Sequence, residues 1–204
     1  RSHKCNVGFL NPPFSQSDAD LHELKFIKHM LDCLQKGGVG VAIAPMSCAI
    51  APHPARSEIL RHHTLEAVMS MPDELFYPVG VITCVMVFTA HVSHASSNRK
   101  TWFGYWKDDG FTKTKHRGRV DVRNAWPNIR DRWVEMFRNR EVHPGESVAK
   151  KVGPNDEWCA EAYMETDYSR LSKADFEQVV KSYAIFRLLG QVSQSVAEDE
   201  NGSA

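Results

Sequence analysis

The sequence predicts an α/β fold in which a mostly parallel sheet is followed by shorter strands and helices. Between residues 4 and 90 the apolar patterns alternate in the order strand, helix, strand, helix, strand, strand. The first predicted helix has one apolar face, and the strand after it is apolar along its whole length. Such a strand is typical of a parallel sheet covered by helices on both faces, so the three observations agree.

The first two elements are a strand over residues 4–10 and a helix over about 18–35. Apolar residues at spacings of three and four predict the helix, namely Leu21, Leu24, Ile27, Leu31 and Leu34. Capping and acidic residues mark its start, namely Ser17, Asp18 and Asp20. The pair Gly37-Gly38 is expected to end it, since glycine adopts the backbone conformation that closes many helices.

The next elements complete the predicted sheet. The run "VGVAIAP", residues 39–45, is the buried second strand, and a helix over about 54–63 follows with a proline in its first turn. Further strands are predicted over residues 64–72 and 81–90, where the composition favours β structure. If any of these strands runs antiparallel, we expect it to be the last one.

Residues 1–95 and 96–192 are expected to be two parts of the same domain, the second being a strand and helical extension. The extension begins with the strand-like "TWFGYWK", residues 101–107. Pro127 precedes a helix marked by Ile129, Trp133, Met136 and Phe137. A second helix opens at the capping-box pattern "SKAD", residues 172–175, and closes at Gly190. The polar, acidic tail over 193–204 is expected to be disordered.

The composition bounds the class of protein. The 204 residues are 42% hydrophobic, enough for a domain with a core, and 25 basic residues balance 25 acidic ones. No global charge therefore points to nucleic acid or to a membrane. The five cysteines form no Cys-x-x-Cys pair, and no apolar run reaches the roughly 18 residues of a membrane span. We expect a cytoplasmic protein without disulfides and without a membrane segment.

The stretch "VGFLNPPFS", residues 7–15, ends the first strand with an amide and two prolines. In an open α/β sheet, ligands bind beyond the carboxyl ends of the strands, where Asn11 is expected. Prolines lack N–H groups and fix the backbone, so the Asn11 side-chain carbonyl and the Pro12 carbonyl can converge on one exocyclic amine. Phe14 offers an aromatic face to a planar base. The alternative is a strand that ends in a Pro-Pro turn, with Asn11 capping locally.

The motif Asn11-Pro12-Pro13-Phe14 resembles the Asn/Asp/Ser-Pro-Pro-Tyr/Phe motif of amino-methylating DNA methyltransferases, and its Asn form resembles the N6-adenine class. Three surrounding segments are similar to the modification subunits of type I restriction systems: "FIKHMLDCLQKGGVGVAIAP", "RSEILRHHTLEAVMSMPDELFYPVGVITCVMVFTAH" and "WFGYWKDDGF". The resemblance covers about residues 5–140. It implies the C-terminal half of a Rossmann-like, S-adenosylmethionine-dependent methyltransferase sheet, with a helical C-terminal extension.

The resemblance implies site-specific methylation of adenine N6 in DNA, within a restriction-modification system. Asn11 and Pro12 would hold the amine of a flipped adenine, Pro13 would shape the turn, and Phe14 would stack on the base. The methyl donor would be S-adenosylmethionine, with Asn11 also facing it. The implied partners are DNA and a specificity or restriction subunit.

One departure from the family concerns the methyl-donor site. In the family it lies in strands that precede the motif, including a strand followed by a glycine-containing loop, and the sequence begins after their place. We therefore expect a fragment that lacks the N-terminal half of the domain and binds S-adenosylmethionine weakly or not at all. The fragment would be inactive alone, and the full-length protein would be an adenine-specific enzyme. The strand over residues 4–10 would be an unprotected sheet edge.

Two other functions stay open from the sequence. The first is a non-catalytic module for DNA binding or subunit assembly, derived from such an enzyme, that uses the basic loop and the last helix. The second keeps the fold and changes the substrate to an amine of RNA or of protein glutamine, because related families use the same Asn-Pro-Pro-aromatic geometry for those amines.

The segment 99–123 is the basic part of the chain, with eight basic and three acidic residues. Basic side chains with interleaved aromatic ones suit contact with DNA phosphates. The candidates for DNA binding are Lys113, Lys115, Arg117 and Arg119. A solvated loop is an equal alternative, in which the aromatic residues pack on the sheet; these are Trp102, Tyr105 and Trp106.

Three further sequence patterns are weighed as candidate sites. No metal site is predicted, because the pairs His62-His63 and His91/His94 have no cysteine or carboxylate at ligand spacing. The run "GGVG", residues 37–40, joins a helix to a strand, which is the reverse of a phosphate-binding loop. The acidic pair Asp73-Glu74 is a candidate for substrate contact, although charges on loops are usually solvated.

Overall fold

A computed structural model of the chain describes residues 5–14, 22–76, 80–165 and 171–201, with side chains described up to residue 187. The chain forms two compact units, Arg1–Glu165 and Thr166–Ala204. The first unit contains the motif and the basic segment, and the second is described by its helix. No helix in the described part is both long enough and apolar enough to cross a membrane.

The described residues of the first unit include eight strands. They are β1 (Cys5–Leu10), β2 (Leu34–Pro45), β3 (Thr64–Ser70), β4 (Thr83–Thr89), β5 (Thr101–Tyr105), β6 (Thr112–Thr114), β7 (Gly118–Val120) and β8 (Ser147–Lys150). The helices of this unit are α1 (Glu23–Asp32), α2 (Ser47–Ile50), α3 (Pro54–His62), α4 (His94–Ser97) and α5 (Trp126–Asn139). A 3₁₀ turn covers Ala160–Ala162.

Six of the strands form one sheet in the order β1-β2-β4-β3-β5-β8, and β6 and β7 form a separate hairpin. The pairs β1–β2 and β3–β5 are parallel, whereas β4 is antiparallel to both of its neighbours and β8 is antiparallel to β5. Four strands therefore point the same way. This confirms the predicted α/β class, and β4 is the strand for which the antiparallel direction was allowed.

Helices cover the sheet on both faces. On one face Leu24 and Leu31 of α1 and Ile59 of α3 are fully buried against apolar strand residues. On the other face Met136 of α5 packs with Trp102 of β5. The sheet is therefore the middle of three layers, which explains why "VGVAIAP" is apolar throughout. The outer edge at β1 leaves Val7 and Phe9 62% and 68% exposed, as expected for an unprotected edge strand.

The junction of α1 and β2 differs from the prediction. The helix ends at Asp32 and the strand begins at Leu34, so the pair Gly37-Gly38 lies inside the strand and does not end the helix. Pairing on both sides is the reason: Leu34 lies opposite Cys5 of β1, and the Gly37 N–H donates to a carbonyl just beyond β4 at 2.8 Å. Gly37 has a φ of +80°, which bends the strand there at no steric cost.

The predicted start of the first helix lies outside the described residues, as do Ser17, Asp18, Asp20 and Leu21. The described helix starts at Glu23, and its N-cap is His22, whose Nδ1 accepts the Leu24 N–H at 3.2 Å. Apart from this helix and β2, which starts five residues before the predicted residue 39, the elements with predicted bounds in the first unit appear within two residues of those bounds. Examples are α3 and β3, against predicted ranges of 54–63 and 64–72.

The second unit contains α6 (Lys173–Asn201). The predicted start at "SKAD" is confirmed, because the Ser172 N–H and the Asp175 carboxylate form the expected hydrogen bond at 2.7 Å. The helix continues through Gly190, so the prediction that Gly190 ends it is wrong; one glycine costs a helix only about 1 kcal/mol. The structure gives helix over residues 193–201, where the sequence analysis predicts a disordered tail.

Candidate functional site

The segment Asn11–Phe14 leaves the carboxyl end of β1. Because β1, β2 and β3 run in the same direction, their carboxyl ends lie at one edge of the sheet, and the segments after them share that edge. Pro12 is buried, whereas Asn11 is exposed. The exposed amide is therefore followed by a buried proline, and the two prolines restrict the backbone of this segment.

Phe14 contacts an aromatic residue from the segment after β3. Its ring centroid lies 5.9 Å from that of Phe76, and the two planes make an angle of 77°. This edge-to-face contact is the geometry that aromatic pairs prefer. Two aromatic side chains from different segments thus meet at the edge of the sheet where the segment Asn11–Phe14 begins, and sequence reasoning identified one of them. The signal that could have found Phe76 was its place in "ELFYPVG", which follows a strand that ends at the same edge.

Two ion pairs hold the segment that carries Phe76. Lys107 Nζ lies 2.6 Å from Asp73 Oδ1, and Lys113 Nζ lies 3.0 Å from Glu74 Oε1. Asp73 and Glu74 were candidates for substrate contact in the sequence analysis. In the structure their contacts are to lysines on the segment 106–114, so the acidic pair links the segment after β3 to the segment 106–114.

The four basic candidates for DNA contact all lie on or beside the hairpin of β6 and β7, but their surroundings differ. Lys113 pairs with Glu74 on the loop after β3. Arg119 donates from Nη1 and Nη2 to both oxygens of Asp109, at 2.8 and 2.7 Å. Lys115 and Arg117 lie in the turn, are exposed, and make no ion pair within the described residues. The hairpin therefore presents two unpaired positive charges at its tip.

The aromatic residues of the basic segment belong to the packing of the sheet. Trp102 is 1% exposed and donates from Nε1 to the Glu141 carbonyl at 2.7 Å. Trp106 contacts Trp102 edge-on at 6.1 Å and stacks on Trp133 of α5 at 4.9 Å. The structure thus supports the interpretation that these rings are core residues and not platforms for bases.

Two of the paired histidines, His63 and His94, are buried and accept hydrogen bonds. His63 accepts the His91 N–H on Nδ1 at 3.1 Å, and His94 accepts the Leu65 N–H on Nδ1 at 3.3 Å. Burial lowers the pKa of both His63 and His94, so both imidazoles are neutral near pH 7. Their contacts join loops to strands.

One group of metal-type side chains comes together within the described residues: His22, Glu23 and Cys48, whose ligand atoms lie within 4.8 Å of one another. The Cys48 thiol donates to Glu23 Oε2 at 3.8 Å, and His22 Nδ1 already accepts the Leu24 N–H. Burial, followed by the neighbouring Glu23, raises the pKa of Cys48 to about 12, so the sulfur stays protonated. The group works as a capping network at the start of α1, which sequence reasoning did not foresee.

A scan against protein families matches residues 9–185 of the chain to the model of the family described as N-6 DNA Methylase. Among curated proteins, the type II restriction enzyme and methyltransferase RM.BcgI of Heyndrickxia coagulans is 30% identical over 210 residues. That match takes in 96% of this chain and 32% of the relative, so the chain spans about a third of the length of the relative.

Solved structures with the same fold come from type I restriction-modification systems. One chain, from a study of complex assembly and conformational transition of such a system, superposes with a TM-score of 0.56 at 15% identity, over 98% of this chain and 46% of its own length. The methyltransferase subunit of the system from Streptococcus thermophilus superposes with a TM-score of 0.55 at 13% identity, over 72% and 34% of the two chains. At such low sequence identity these structural similarities show the fold alone.

Proposed function

The chain belongs to the N-6 DNA methylase family, and on this premise we propose that it is the amine-binding part of an enzyme that methylates adenine N6 in DNA. The observation that carries the proposal is the position of Asn11 at the carboxyl end of a sheet strand, on the segment whose Phe14 contacts Phe76. A flipped adenine requires hydrogen-bond acceptors for its amine and aromatic rings for its face. The exposed amide, the restricted backbone and the two aromatic rings fit this requirement.

The proposed roles follow from the hydrogen-bonding chemistry of an exocyclic amine, which has two N–H groups. The Asn11 side-chain oxygen and the Pro12 carbonyl accept one N–H each, Pro13 fixes the turn, and Phe14 provides the face on which the base stacks. Two acceptors hold the amine with its lone pair directed at the methyl group, so positioning and polarisation carry the catalysis. When bound, S-adenosylmethionine would supply a methyl group to the amine nitrogen, with its sulfur keeping the electrons of the broken carbon–sulfur bond, and the methylated nitrogen would release its extra proton to solvent.

S-adenosylmethionine supplies the electrophilic methyl group in this chemistry. Of the described residues, Asn11 is the one that we assign to the side facing the donor. We propose that the rest of the donor site is supplied by a part of the domain outside these 204 residues, adjoining the exposed edge at β1. This assignment implies weak or no binding of S-adenosylmethionine by the chain alone, and no activity without the adjoining part.

We propose DNA and a second subunit, for specificity or restriction, as the partners of the full-length protein, in the cytoplasm. Lys115 and Arg117 at the hairpin tip are the DNA contacts that the geometry favours. A subunit contact is supported by α6, where large apolar side chains are exposed along the helix: Phe176, Val179, Val180, Tyr183 and Phe186.

The test is an Asn11→Ala substitution in the full-length protein, assayed by transfer of labelled methyl groups from S-adenosylmethionine to DNA, RNA and protein. We expect adenine-specific labelling of DNA, and a loss of about 100-fold or more in kcat for the variant, as for other preorganised hydrogen-bond partners. Asn139→Ala is the matched control, because Asn139 is an exposed asparagine at the end of α5 and is not part of β1 or of the motif.

Unchanged methylation by the Asn11→Ala variant would contradict the assignment of the site. Labelling of RNA or protein in place of DNA would favour the second substrate class. Absence of any labelling by the wild-type protein, together with retained DNA binding, would favour a non-catalytic module.

A further inference from the structure

A cavity of about 410 Å³ lies between the segment after β3 and the hairpin. It is lined by Leu75, Asp109, Phe111, Gly118, Arg119 and Trp126. We propose that this cavity binds the base of a nucleotide that neighbours the methylated adenine in the DNA strand. The inference rests on the proposed function, and it assigns to the same site a second contact with the substrate.

The walls of the cavity suit a flat aromatic ligand. The rings of Phe111 and Trp126 make an edge-to-face contact, with centroids 5.9 Å apart. Leu75, in the segment after β3, lines another side of the cavity. All three side chains keep part of their surface exposed, so a ligand can reach them. Stacking on aromatic side chains is how proteins hold unstacked bases, because every base has a π face.

The polar groups of the cavity suit a neutral base better than a phosphate. Arg119 and Asp109 form a two-point ion pair, so the charge of the guanidinium is balanced where a phosphate would need it free. Both Asp109 oxygens accept from Arg119, and Oδ1 also accepts the Phe111 N–H at 3.0 Å. The guanidinium has five N–H groups, so those not used by Asp109 can donate to ring nitrogens or carbonyl oxygens of a base.

The place of the cavity relative to the motif supports a nucleotide next to the target. Leu75 adjoins Phe76 in the chain, and the Phe76 ring touches Phe14. The ion pairs Lys107–Asp73 and Lys113–Glu74 fix the segment that carries both residues. Beyond the cavity, the hairpin tip holds the unpaired Lys115 and Arg117, which suit the phosphates of the same strand. Along one DNA strand, the target adenine would thus lie at the motif, the neighbouring base in the cavity, and the phosphates at the hairpin tip.

The size of the cavity agrees with this ligand. Sites for small ligands measure about 300–1,000 Å³, and 410 Å³ lies at the lower end of that range. A base fits such a space, whereas a folded peptide segment would not. The cavity is open at Gly118, where an added Cβ would meet no described atom within 4 Å.

The experiment fills the cavity by the substitution Leu75→Trp in the full-length protein. The matched control is Val134→Trp, because Leu75 and Val134 are both 38% exposed and Val134 lies on α5 outside the cavity lining. The methylated sequence is first read from DNA that the wild-type protein has modified. Duplexes are then made in which each nucleotide beside the target adenine is replaced by an abasic site, and dissociation constants are measured.

We expect one neighbouring position at which the abasic site weakens binding to the wild-type protein by about 5- to 150-fold, the usual value of a base stacked on aromatic side chains. Leu75→Trp should weaken binding of intact DNA by a similar factor. For this variant, the abasic site should cause no further loss of affinity. Val134→Trp should behave as the wild type. Equal binding of intact DNA by Leu75→Trp, Val134→Trp and wild type would overturn the proposal.

A second measurement is independent of both methylation and the folding of a variant. Single-stranded oligonucleotides with 5-iodouracil are irradiated with the wild-type protein, and adducts are mapped by mass spectrometry. An adduct on Phe111 or Trp126 supports the cavity as the base site, and DNA adducts on neither residue overturn it. The Asn11→Ala variant should lose methylation and keep these adducts, so failure of the base site and failure of the proposed reaction give different results.

Discussion

The ring of Phe76 stands edge-on to the ring of Phe14, with centroids 5.9 Å apart and planes at 77°. The two residues are far apart in the chain, and each follows a strand that ends at the same edge of the sheet. Phe76 therefore forms part of the surroundings of the motif at this edge of the sheet.

The first prediction concerns this second ring. Phe76→Ala in the full-length protein should lower kcat/KM for DNA methylation by about 5- to 150-fold, because base–aromatic stacking is worth about 1–3 kcal/mol. Phe76→Tyr keeps the ring and should retain most of the activity. Thermal unfolding of both variants serves as the control for folding. If alanine and tyrosine variants are equally active, Phe76 has no part in holding the base.

The sheet could be predicted from the sequence because its signals are local. The second half of β2 and most of β3 are apolar runs, and β3 is buried along almost its whole length, so the composition of each run favours a strand. The motif was likewise visible, since Asn-Pro-Pro at the end of a strand restricts the backbone by itself.

Other features depend on contacts that the sequence does not display. Gly37-Gly38 has the composition of a helix end, but pairing of β2 with strands on both sides draws these residues into the sheet. Arg119 and Lys113 belong to a basic run, and tertiary contacts pair them with Asp109 and Glu74. Whether a basic side chain forms an ion pair or faces solvent depends on the tertiary fold. The basic run alone therefore does not predict which side chains are available for DNA contact.

The second prediction concerns the two basic residues at the hairpin tip that form no ion pair within the described residues. The double variant Lys115→Ala/Arg117→Ala should weaken DNA binding and reduce the slope of log affinity against log salt by about 1.8, because each phosphate contact contributes about 0.9. Lys36→Ala is the control, since Lys36 is exposed near the amino end of β2, away from the edge that carries Asn11. A slope that matches the wild type would exclude the hairpin tip from the DNA interface.

The third prediction concerns the part of the core around Trp102. At Gly104 of β5 an added Cβ would lie 2.7 Å from Trp102 Cη2, and the buried indole is held by its hydrogen bond to the Glu141 carbonyl. Gly104→Ala should therefore lower the free energy of unfolding by about 1–3 kcal/mol, the usual cost of overpacking. Urea unfolding measures this.

Gly80→Ala is the control for that substitution. An added Cβ at Gly80 meets no described atom within 4 Å, and its φ lies outside the left-handed range. We expect its free energy of unfolding to change little or to rise by up to about 1 kcal/mol, because alanine restricts the unfolded chain. A Gly104 variant as stable as the Gly80 variant would show that the indole can move aside.

The fourth prediction concerns pH and starts from His63, whose side chain is 0% exposed. Its Nδ1 accepts the His91 N–H at 3.1 Å, and its Nε2 lies 3.3 Å from Asp32 Oδ1. A neutral imidazole with its proton on Nε2 satisfies both contacts, whereas a proton on Nδ1 would set two donors against each other. Burial lowers the pKa of His63 accordingly, against the opposing effect of Asp32.

The sign of the pH dependence follows from that lowered pKa. The unfolded chain, with histidine near its ordinary pKa of about 6.5, binds the proton more readily than the folded chain does. The contribution to stability is therefore complete above about pH 6.5 and is lost as the pH falls toward the lowered pKa of the folded state. Burial also lowers the pKa values of His53 and His94, which add to the loss in the same direction.

We expect the urea midpoint of the wild-type chain to fall as the pH is lowered from about 7.5 to about 5. His63→Asn offers an uncharged acceptor to the His91 N–H, so this variant should start less stable and lose less on acidification. His53 and His94 are unchanged in the variant and keep their part of the dependence. If the midpoints of variant and wild type fall by the same amount over this range, the imidazole of His63 does not take up the proton that destabilises the fold.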